Sequence, residues 1–305
     1  MLQAGLRLPL APGAVRLGID LGGTKIEGVV IAADGTIVAH RRVPTERERG
    51  YEHIVARVAG LVESLLASAP SVAVVGVGTP GASSTLTGAL KNSNTVCLND
   101  QPLHADLAAR IGVPVRLEND ANCFAVAEAR LGAGRGAAGV FGVILGTGVG
   151  GGIVVDGRVW PGLQHIAGEW GHHTLDPGGP ACYCGRRGCV ETFLCGPALE
   201  GQYRDGSGSS CAALEIAQRR SAGDPHATAV LATYLERFGR ALGNVINILD
   251  PTVVVLGGGL SNLDLLYSEG RAAVARCVFN DELQTPILRH QLGDSAGVIG
   301  AALLD

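Results

Sequence analysis

The chain carries one pattern of strands and glycines twice, and this repeat limits the folds that it can adopt. Residues 15–40 predict a strand, a glycine loop, a second strand, an Asp34-Gly35 turn and a third strand. Residues 141–160 repeat this order, with Asp156-Gly157 as the turn. Two such β-units far apart in one chain predict two related lobes, each with its own glycine loop.

Strands and helices alternate along the rest of the chain. Helical periodicity covers 51–69 and 211–249, and a strand at 113–120 precedes a helix that ends at Gly132. A chain of 305 residues is also too long for one ordinary core. The sequence therefore predicts an α/β fold in two lobes.

Composition excludes several classes of protein. The formal net charge is −4 and no basic block stands out, so a nucleic-acid partner is not expected. No apolar run is long enough and free enough of glycine to span a bilayer, and residues 1–14 lack the features of a signal peptide. The eight cysteines fit a reducing compartment better than a disulfide framework. We therefore expect a cytoplasmic protein.

Three glycine clusters follow predicted strands and are suited to bind phosphate or a nucleotide. Glycine lets backbone N–H groups approach an anion, and threonine and lysine add a hydroxyl and a charge. The second cluster precedes a strand, whereas a dinucleotide-binding motif requires a helix there. The third could lie against a nucleobase or simply form a helix-entry turn. The clusters are Gly22, Gly23, Thr24 and Lys25; Gly146, Thr147 and Gly148; and Gly257, Gly258 and Gly259.

Two aspartates at the ends of strands are candidates for the chemistry. Asp20 would be costly to bury without a metal ion or hydrogen-bond donors, so we interpret it as a ligand of Mg²⁺ through water; the alternative is a turn cap. Asp120 follows Asn119 at the carboxyl end of a strand, where open α/β folds present reactive groups. It could accept the proton of a substrate hydroxyl, or it could cap the following helix.

One histidine and three cysteines within 172–189 have the spacing of a metal site. Cys182, Cys184 and Cys189 would supply three thiolates, and His172 or His173 would supply an imidazole. Four such ligands form a closed tetrahedral set, which is typical of structural zinc and leaves no position for a reacting water. The sequence therefore predicts a zinc ion that shapes the structure and takes no part in the chemistry.

Seven segments, in order, resemble the ROK family of sugar kinases and sugar-responsive repressors. They cover nearly the whole chain. The segments are GIDLGGTK (18–25), GTPG (78–81), ENDANCFAVAEA (118–129), GTGVGGGIV (146–154), GEWGHH (168–173), CYCGRRGCVET (182–192) and VVLGGGLS (254–261).

The resemblance implies a two-lobed actin, hexokinase and ribonuclease-H-like fold, with ATP and sugar meeting in an interlobe active-site cleft. It implies Asp120 as the catalytic base, selects His172 as the zinc ligand, and gives this histidine a second contact with the sugar. A homodimer is expected because the family is often dimeric. The implied lobes are residues 1–118 with a C-terminal helix at about 294–305, and residues 119–293. The implied sugar contacts are Asn119, Asp120, Glu169, His172 and Glu191, with Gly81 and Asn94 as secondary contacts.

Within the family the chain looks most similar to bacterial fructokinases of the mannokinase type. We therefore predict an ATP-dependent hexose kinase that needs Mg²⁺ and converts fructose to fructose 6-phosphate. N-acetylglucosamine kinases and glucokinases share the core motifs and form the alternative. A repressor would need a DNA-binding module ahead of the first glycine loop, and only 14 residues precede the strand that leads into this loop. A sugar-sensing protein without activity is disfavoured because Asp20, Lys25 and Asp120 are all present.

Overall fold

The two copies of the repeated pattern begin two separate sheets in the computed structural model, which describes residues 7–8, 14–68 and 72–304. Contacts divide the chain into two units. The signal-peptide expectation concerns residues 1–14, which lie almost entirely outside the described part. Unit 1 comprises Met1–Gly136, Gly157–Ala167 and Leu292–Asp305, and unit 2 comprises Ala137–Asp156 and Gly168–Gln291.

Unit 1 is built on a sheet with the strand order β3-β2-β1-β4-β7, in which the first three strands are antiparallel and β4 and β7 run parallel to β1. Its described strands are β1 (Arg16–Leu21), β2 (Lys25–Ile31), β3 (Ile37–Pro44), β4 (Val75–Thr79), β5 (Ala82–Ser83), β6 (Leu90–Lys91), β7 (Val115–Asn119) and β10 (Arg158–Val159). Its described α-helices are α1 (Tyr51–Leu66), α2 (Leu103–Ile111), α3 (Asp120–Leu131) and α9 (Ala296–Ala302).

Unit 2 has a sheet of the same kind, with the order β9-β8-β11-β12 among its own strands. The predicted helical region 211–249 forms two helices, and Asp224 caps the second by accepting from the N–H groups of His226 and Ala227. Among the described residues, no helix is long and apolar enough to cross a membrane. The described strands are β8 (Gly139–Leu145), β9 (Val149–Val155), β11 (Val253–Gly257) and β12 (Ile287–Arg289), and the α-helices are α4 (Glu191–Leu194), α5 (Gly196–Ser207), α6 (Ala213–Ser221), α7 (Pro225–Leu249) and α8 (Glu269–Ala275).

The C-terminal helix α9 packs closely on its neighbours in unit 1. A Cβ atom on Gly300 would overlap the backbone of Cys123 in α3, and one on Gly76 of β4 would overlap the carbonyl group of Ala301. This packing explains why α3 groups with unit 1, whereas the sequence-based boundary after residue 118 assigned it to the other lobe.

Ser295 occupies the N-cap position of α9, but its hydroxyl makes no cap bond. It donates instead to the buried carboxylate of Glu27 at 2.7 Å. The same carboxylate receives Nη2 of Arg42 at 3.0 Å and contacts Nε2 of His40 at 2.8 Å. Burial raises the pKa of Glu27, but the hydrogen bonds from Arg42, Ser295 and His40 outweigh it and hold that pKa below its ordinary value. Glu27 therefore joins β2 to the start of α9 as a carboxylate.

The substitution Gly300→Ala is expected to destabilise the protein by at least about 1–3 kcal/mol, because the added methyl group must displace the backbone of α3 or α9. Gly60→Ala is the matched control, since Gly60 lies in α1, where a Cβ atom would meet no described atom within 4 Å. Alanine there should leave stability unchanged or raise it by up to about 1 kcal/mol. Urea unfolding of both variants checks the prediction, and equal stabilities would contradict the packing described for α9.

Candidate active site

The first glycine loop, residues 22–25, is a tight turn between β1 and β2. The N–H group of Gly22 donates to the carbonyl oxygen of Lys25 at 3.0 Å. Thr45, which follows β3, holds the loop from the other side. Its hydroxyl donates to the carbonyl oxygen of Gly22 at 2.7 Å, and its N–H group donates to that of Thr24 at 3.0 Å. These hydrogen bonds fix the backbone of the loop and do not involve the side chains of Thr24 and Lys25.

Asp20 lies at the end of β1, close to two other acidic groups. Burial, together with the negative charges of Asp120 and Glu27, raises the pKa of Asp20 to about 7, although Lys25 and Arg42 act in the opposite direction. Asp20 is paired with Glu27 in the register of β1 and β2, and like charges on neighbouring carboxylates repel one another unless a cation lies nearby. The donor set therefore fits the Mg²⁺ ion that the sequence predicts beside Asp20, because oxygen ligands are those that Mg²⁺ prefers.

Lys25 is tied to the buried carboxylate of Glu27, whose Oε2 lies 3.4 Å from its Nζ atom. Its side chain stays 45% exposed, so the ammonium group can still reach a ligand. Glu27 was not among the predicted site residues. The strand alternation could have indicated it, because residues two apart in a strand lie on the same face.

Asn119 and Asp120 begin α3, and the structure separates their roles. Asn119 is the N-cap: its Oδ1 accepts from the N–H group of Ala121 at 2.9 Å, and its Nδ2 donates to the carbonyl oxygen of Gly81 at 3.0 Å. Asp120 is the first helical residue, and its Oδ1 accepts from the N–H group of Ala121 at 2.8 Å. Because Asn119 supplies the cap, the capping interpretation of Asp120 is not needed to explain this helix end.

Gly81 and Asn94, the predicted secondary sugar contacts, lie near each other in unit 1. Gly81 has φ 89°, and a Cβ atom there would overlap the carbonyl oxygen of Lys91 and lie 2.9 Å from the nitrogen of Ser93. Only glycine fits this turn, which brings Asn119 close to the Lys91–Asn94 segment. The side chain of Asn94 itself is exposed.

The second glycine loop, Gly146 to Gly148, joins β8 and β9 in unit 2. Glu191, at the start of α4, holds it: one carboxylate oxygen accepts from the N–H group of Val149 at 3.0 Å. A Cβ atom on Gly148 would lie 2.6 Å from that oxygen, so a side chain there would displace the carboxylate of Glu191 from the loop. From the sequence, Glu191 was predicted as a sugar contact and this loop as an ATP contact. In the structure Glu191 is hydrogen-bonded to the end of the loop.

The third glycine cluster forms the helix-entry turn that the sequence left open. Gly257 ends β11, Gly258 has φ 79° and fits against the backbone of Leu145, and Gly259 begins a 3-10 helix at Gly259–Asn262. A Cβ atom on Gly259 would meet no atom of the described residues within 4 Å. This open position leaves the nucleobase contact as a prediction.

The structure brings the four predicted metal ligands together; His173 is not among them. The ligand atoms of His172, Cys182, Cys184 and Cys189 (the Cys/His cluster) all lie within 4.8 Å of one another. The Sγ atoms of Cys184 and Cys189 are 3.6 Å apart, and Nδ1 of His172 lies 3.5 Å from Sγ of Cys182. Ligands about 2.3 Å from a tetrahedral ion lie about 3.8 Å apart, so the cluster has the size of a zinc site.

The backbone around the Cys/His cluster requires its glycines. The N–H group of Cys182 donates to the carbonyl oxygen of Arg186 at 2.8 Å, which closes a turn with Gly185 at φ 85°. Gly188 has φ 64°, and a Cβ atom there would overlap the carbonyl oxygen of Asp176. Burial raises the pKa of Cys182 and raises that of Cys189 to about 12, whereas at Cys184 burial is outweighed by hydrogen bonds involving Arg186, Cys182 and Cys189, which lower its pKa to about 6. Cys184 is therefore the thiol of the cluster that ionises first.

The second nitrogen of His172 is hydrogen-bonded to a residue that the sequence did not single out. Its Nε2 atom lies 3.0 Å from the hydroxyl of Tyr183, while Nδ1 faces the thiols. Burial and the negative charges of Glu191 and Glu169 raise the pKa of Tyr183 above its ordinary value. His172 thus contacts Tyr183 with one ring nitrogen and faces the thiol of Cys182 with the other.

Comparisons with known proteins agree with this geometry. A sequence model of the ROK family matches residues 16–305. The chain is 36% identical over 298 residues to a protein of Photobacterium profundum named N-acetyl-D-glucosamine kinase, covering 94% of this chain and 98% of that one. The fold of this chain is similar to that of a ROK hexokinase from Thermus thermophilus, with a TM-score of 0.84 and 37% identity, covering 95% of this chain and 97% of that one. It is also similar to a ROK glucokinase from Streptomyces griseus in complex with glucose and AMPPNP, with a TM-score of 0.78, 30% identity, and coverage of 94% and 98%. The predicted α/β fold of the hexokinase type is confirmed.

Proposed function

The chain belongs to the ROK family of sugar kinases, and from this premise we propose that it transfers the γ-phosphoryl group of ATP to N-acetyl-D-glucosamine. The acceptor is the 6-hydroxyl group of the sugar. The observation that carries the proposal is that one sheet presents Asp20, two residues before the first glycine loop, and Asp120, directly after β7, in a chain of this family.

The choice of sugar differs from the sequence-based prediction of fructose. The relative named N-acetyl-D-glucosamine kinase is similar over almost its whole length, and this supports the alternative better than it supports fructose. Glucose is the second candidate, because a glucokinase with glucose bound has the same fold at 30% identity.

In the proposed reaction, the oxygen of the sugar hydroxyl attacks the γ-phosphorus of ATP. The bond from that phosphorus to the bridging oxygen breaks, ADP leaves, and the carboxylate of Asp120 accepts the hydroxyl proton. Asn119 orients the start of α3 and so fixes Asp120. Asp20 would hold Mg²⁺ through water, and the ion would neutralise the phosphate oxygens. Lys25 adds a positive charge at the loop.

In unit 2, we assign Glu169, His172 and Glu191 to the recognition of sugar hydroxyl groups. Carboxylates and an imidazole can accept and donate several hydrogen bonds to a polyol. The Cys/His cluster would hold a structural zinc ion, whose ligand spacing it fits. This ion would fix the orientation of His172 and the positions of the two glutamates. The cytoplasmic location and the homodimer stay predictions, and light scattering would test the latter.

The test is the release of ADP with a panel of sugars. We expect kcat/KM for N-acetyl-D-glucosamine to exceed that for glucose, fructose and mannose by at least about 10-fold, because a site that hydrogen-bonds an amide discriminates against sugars that lack it. N-acetylmannosamine carries the same amide in the epimeric position and tests whether the site also reads the configuration at that carbon. The Asp120→Asn protein measures background hydrolysis. A preference for glucose or fructose would refute the choice of sugar, and no ADP release with any sugar would favour a sugar-sensing protein.

A further inference from the structure

We propose that Arg47 and Thr95 complete a binding site for the γ-phosphoryl group of ATP beside Gly23. Neither residue stood out in the sequence. This inference rests on the proposed kinase function and adds two contacts to the group that is transferred. All of the residues concerned belong to unit 1.

The path of the chain after β3 brings Arg47 to the first glycine loop. Thr45 is hydrogen-bonded to the carbonyl oxygens of Gly22 and Thr24, so the chain leaves β3 beside the loop. Arg47 comes two residues later and begins a 3-10 helix at Arg47–Arg49.

Glu46, which lies between Thr45 and Arg47, is held in an uncommon conformation. Glu46 has φ 52° and ψ 48°, in the left-handed region that a non-glycine residue rarely adopts. Its carboxylate is fixed by two residues of α1: Nε2 of His53 lies 2.7 Å away and Nε of Arg57 lies 3.8 Å away. Such a conformation persists only where the surroundings enforce it, and such positions cluster at functional sites. The conformation of Glu46 therefore fixes the direction in which the backbone reaches Arg47.

Gly23 is the point at which the two side chains meet the loop. A Cβ atom on Gly23 would lie 3.4 Å from Oγ1 of Thr95 and 3.5 Å from Nη1 of Arg47. A hydroxyl group and a guanidinium group thus border the space that the absent side chain leaves open. Glycine at this position lets a ligand reach the backbone and both side chains together.

Neither of these side-chain groups has a polar partner within the described part of the chain. Thr95 is 2% exposed, and its Oγ1 is buried without a hydrogen-bond partner. Among the described residues, the guanidinium group of Arg47 makes no hydrogen bond or ion pair, although those of the neighbouring Arg49 and Arg57 pair with Glu46. A buried hydroxyl without a partner is unfavourable unless a ligand supplies one.

A phosphoryl group suits these donors. Its tetrahedral oxygens accept from a guanidinium group, a hydroxyl and backbone N–H groups, and its negative charge pairs with Arg47 and Lys25. We place the γ-phosphoryl group there, and not another phosphate, because Asn94, a predicted sugar contact, directly precedes Thr95 in the chain. With a sugar at Asn94, the donors would lie on the side of the loop that faces the acceptor.

The experiment compares a non-hydrolysable ATP analogue, the β,γ-imido form, with ADP in calorimetric titrations containing Mg²⁺. Arg47→Gln should weaken binding of the analogue about 10- to 100-fold, as expected for the loss of a charge-assisted hydrogen bond, and weaken ADP binding by less than about threefold. Thr95→Val should act in the same direction with a smaller effect, and Thr95→Ser should restore binding. Arg41→Gln, an exposed arginine on β3, is the control and should change neither affinity.

Equal weakening of the analogue and of ADP would overturn the proposal, because the residues would then hold the loop or the nucleotide as a whole. Unchanged affinities in Arg47→Gln would overturn it as well. If the melting temperatures of all variants lie within about 2 °C of the wild type, a loss of folded protein is not the cause of the weaker binding. A wild-type protein that binds both nucleotides yet phosphorylates no sugar would refute the kinase function, while the contrast between analogue and ADP would still decide the site.

Discussion

Replacing Asp120 with asparagine is expected to lower kcat about 10²- to 10⁴-fold while the protein folds normally, because the amide cannot accept the proton of the attacking hydroxyl. Asparagine has nearly the same shape, and Asn119 already caps α3. The substitution also removes a negative charge that raises the pKa of Asp20. The melting temperature should therefore be unchanged or slightly higher.

Steady-state kinetics and thermal unfolding check this result together. Asp34→Asn is a matched control, because Asp34 lies in the turn between β2 and β3, where its Oδ1 accepts from the N–H group of Thr36 and asparagine can do the same. Its kcat should stay within about twofold of the wild type, as usual for a surface position away from the site. A near wild-type kcat in Asp120→Asn would show that the base is another group.

Removing the metal from the Cys/His cluster is expected to lower the melting temperature and the sugar affinity together. The cluster closes the segment from His172 to Cys189, and Glu169 and Glu191 flank it directly. Unit 2 has a large core of its own, so we expect local unfolding with a loss of a few kcal/mol, which corresponds to roughly 5–10 °C in a protein of this size. The sugar affinity should fall because the glutamates lose their fixed positions.

Zinc content by atomic emission, thermal unfolding and sugar titration, each with and without a chelator, test this expectation. Cys184→Ser should reproduce the effect of the chelator, since Cys184 is exposed and its packing contributes little. Cys211→Ser, at a partly exposed cysteine outside the cluster, is the control. If chelation abolished turnover but left melting and sugar binding unchanged, the metal would be catalytic. A protein purified without metal that melts normally would show that the site is not a zinc site.

The local parts of the site could be predicted because their residues are close in sequence. The Cys/His cluster spans 18 residues from His172 to Cys189, and the glycines that shape it lie between its ligands. The glycine loops follow strands whose alternation and turn residues are visible in the sequence. The choice between base and cap at Asp120 stayed open, because both roles require an aspartate at the same strand end. The observed cap bonds of Asn119 decided which residue caps the helix.

The sequence by itself determined the order of strands and helices, the two β-units, the family and the composition of the metal cluster, because each depends on residues that are near one another in the chain. Only the tertiary structure decided which distant residues meet. Ser295 bonds to Glu27, Glu191 holds the N–H group of Val149, and Arg47 and Thr95 border Gly23. These contacts depend on how the elements pack within each unit, and periodicity along the chain contains no information on that packing.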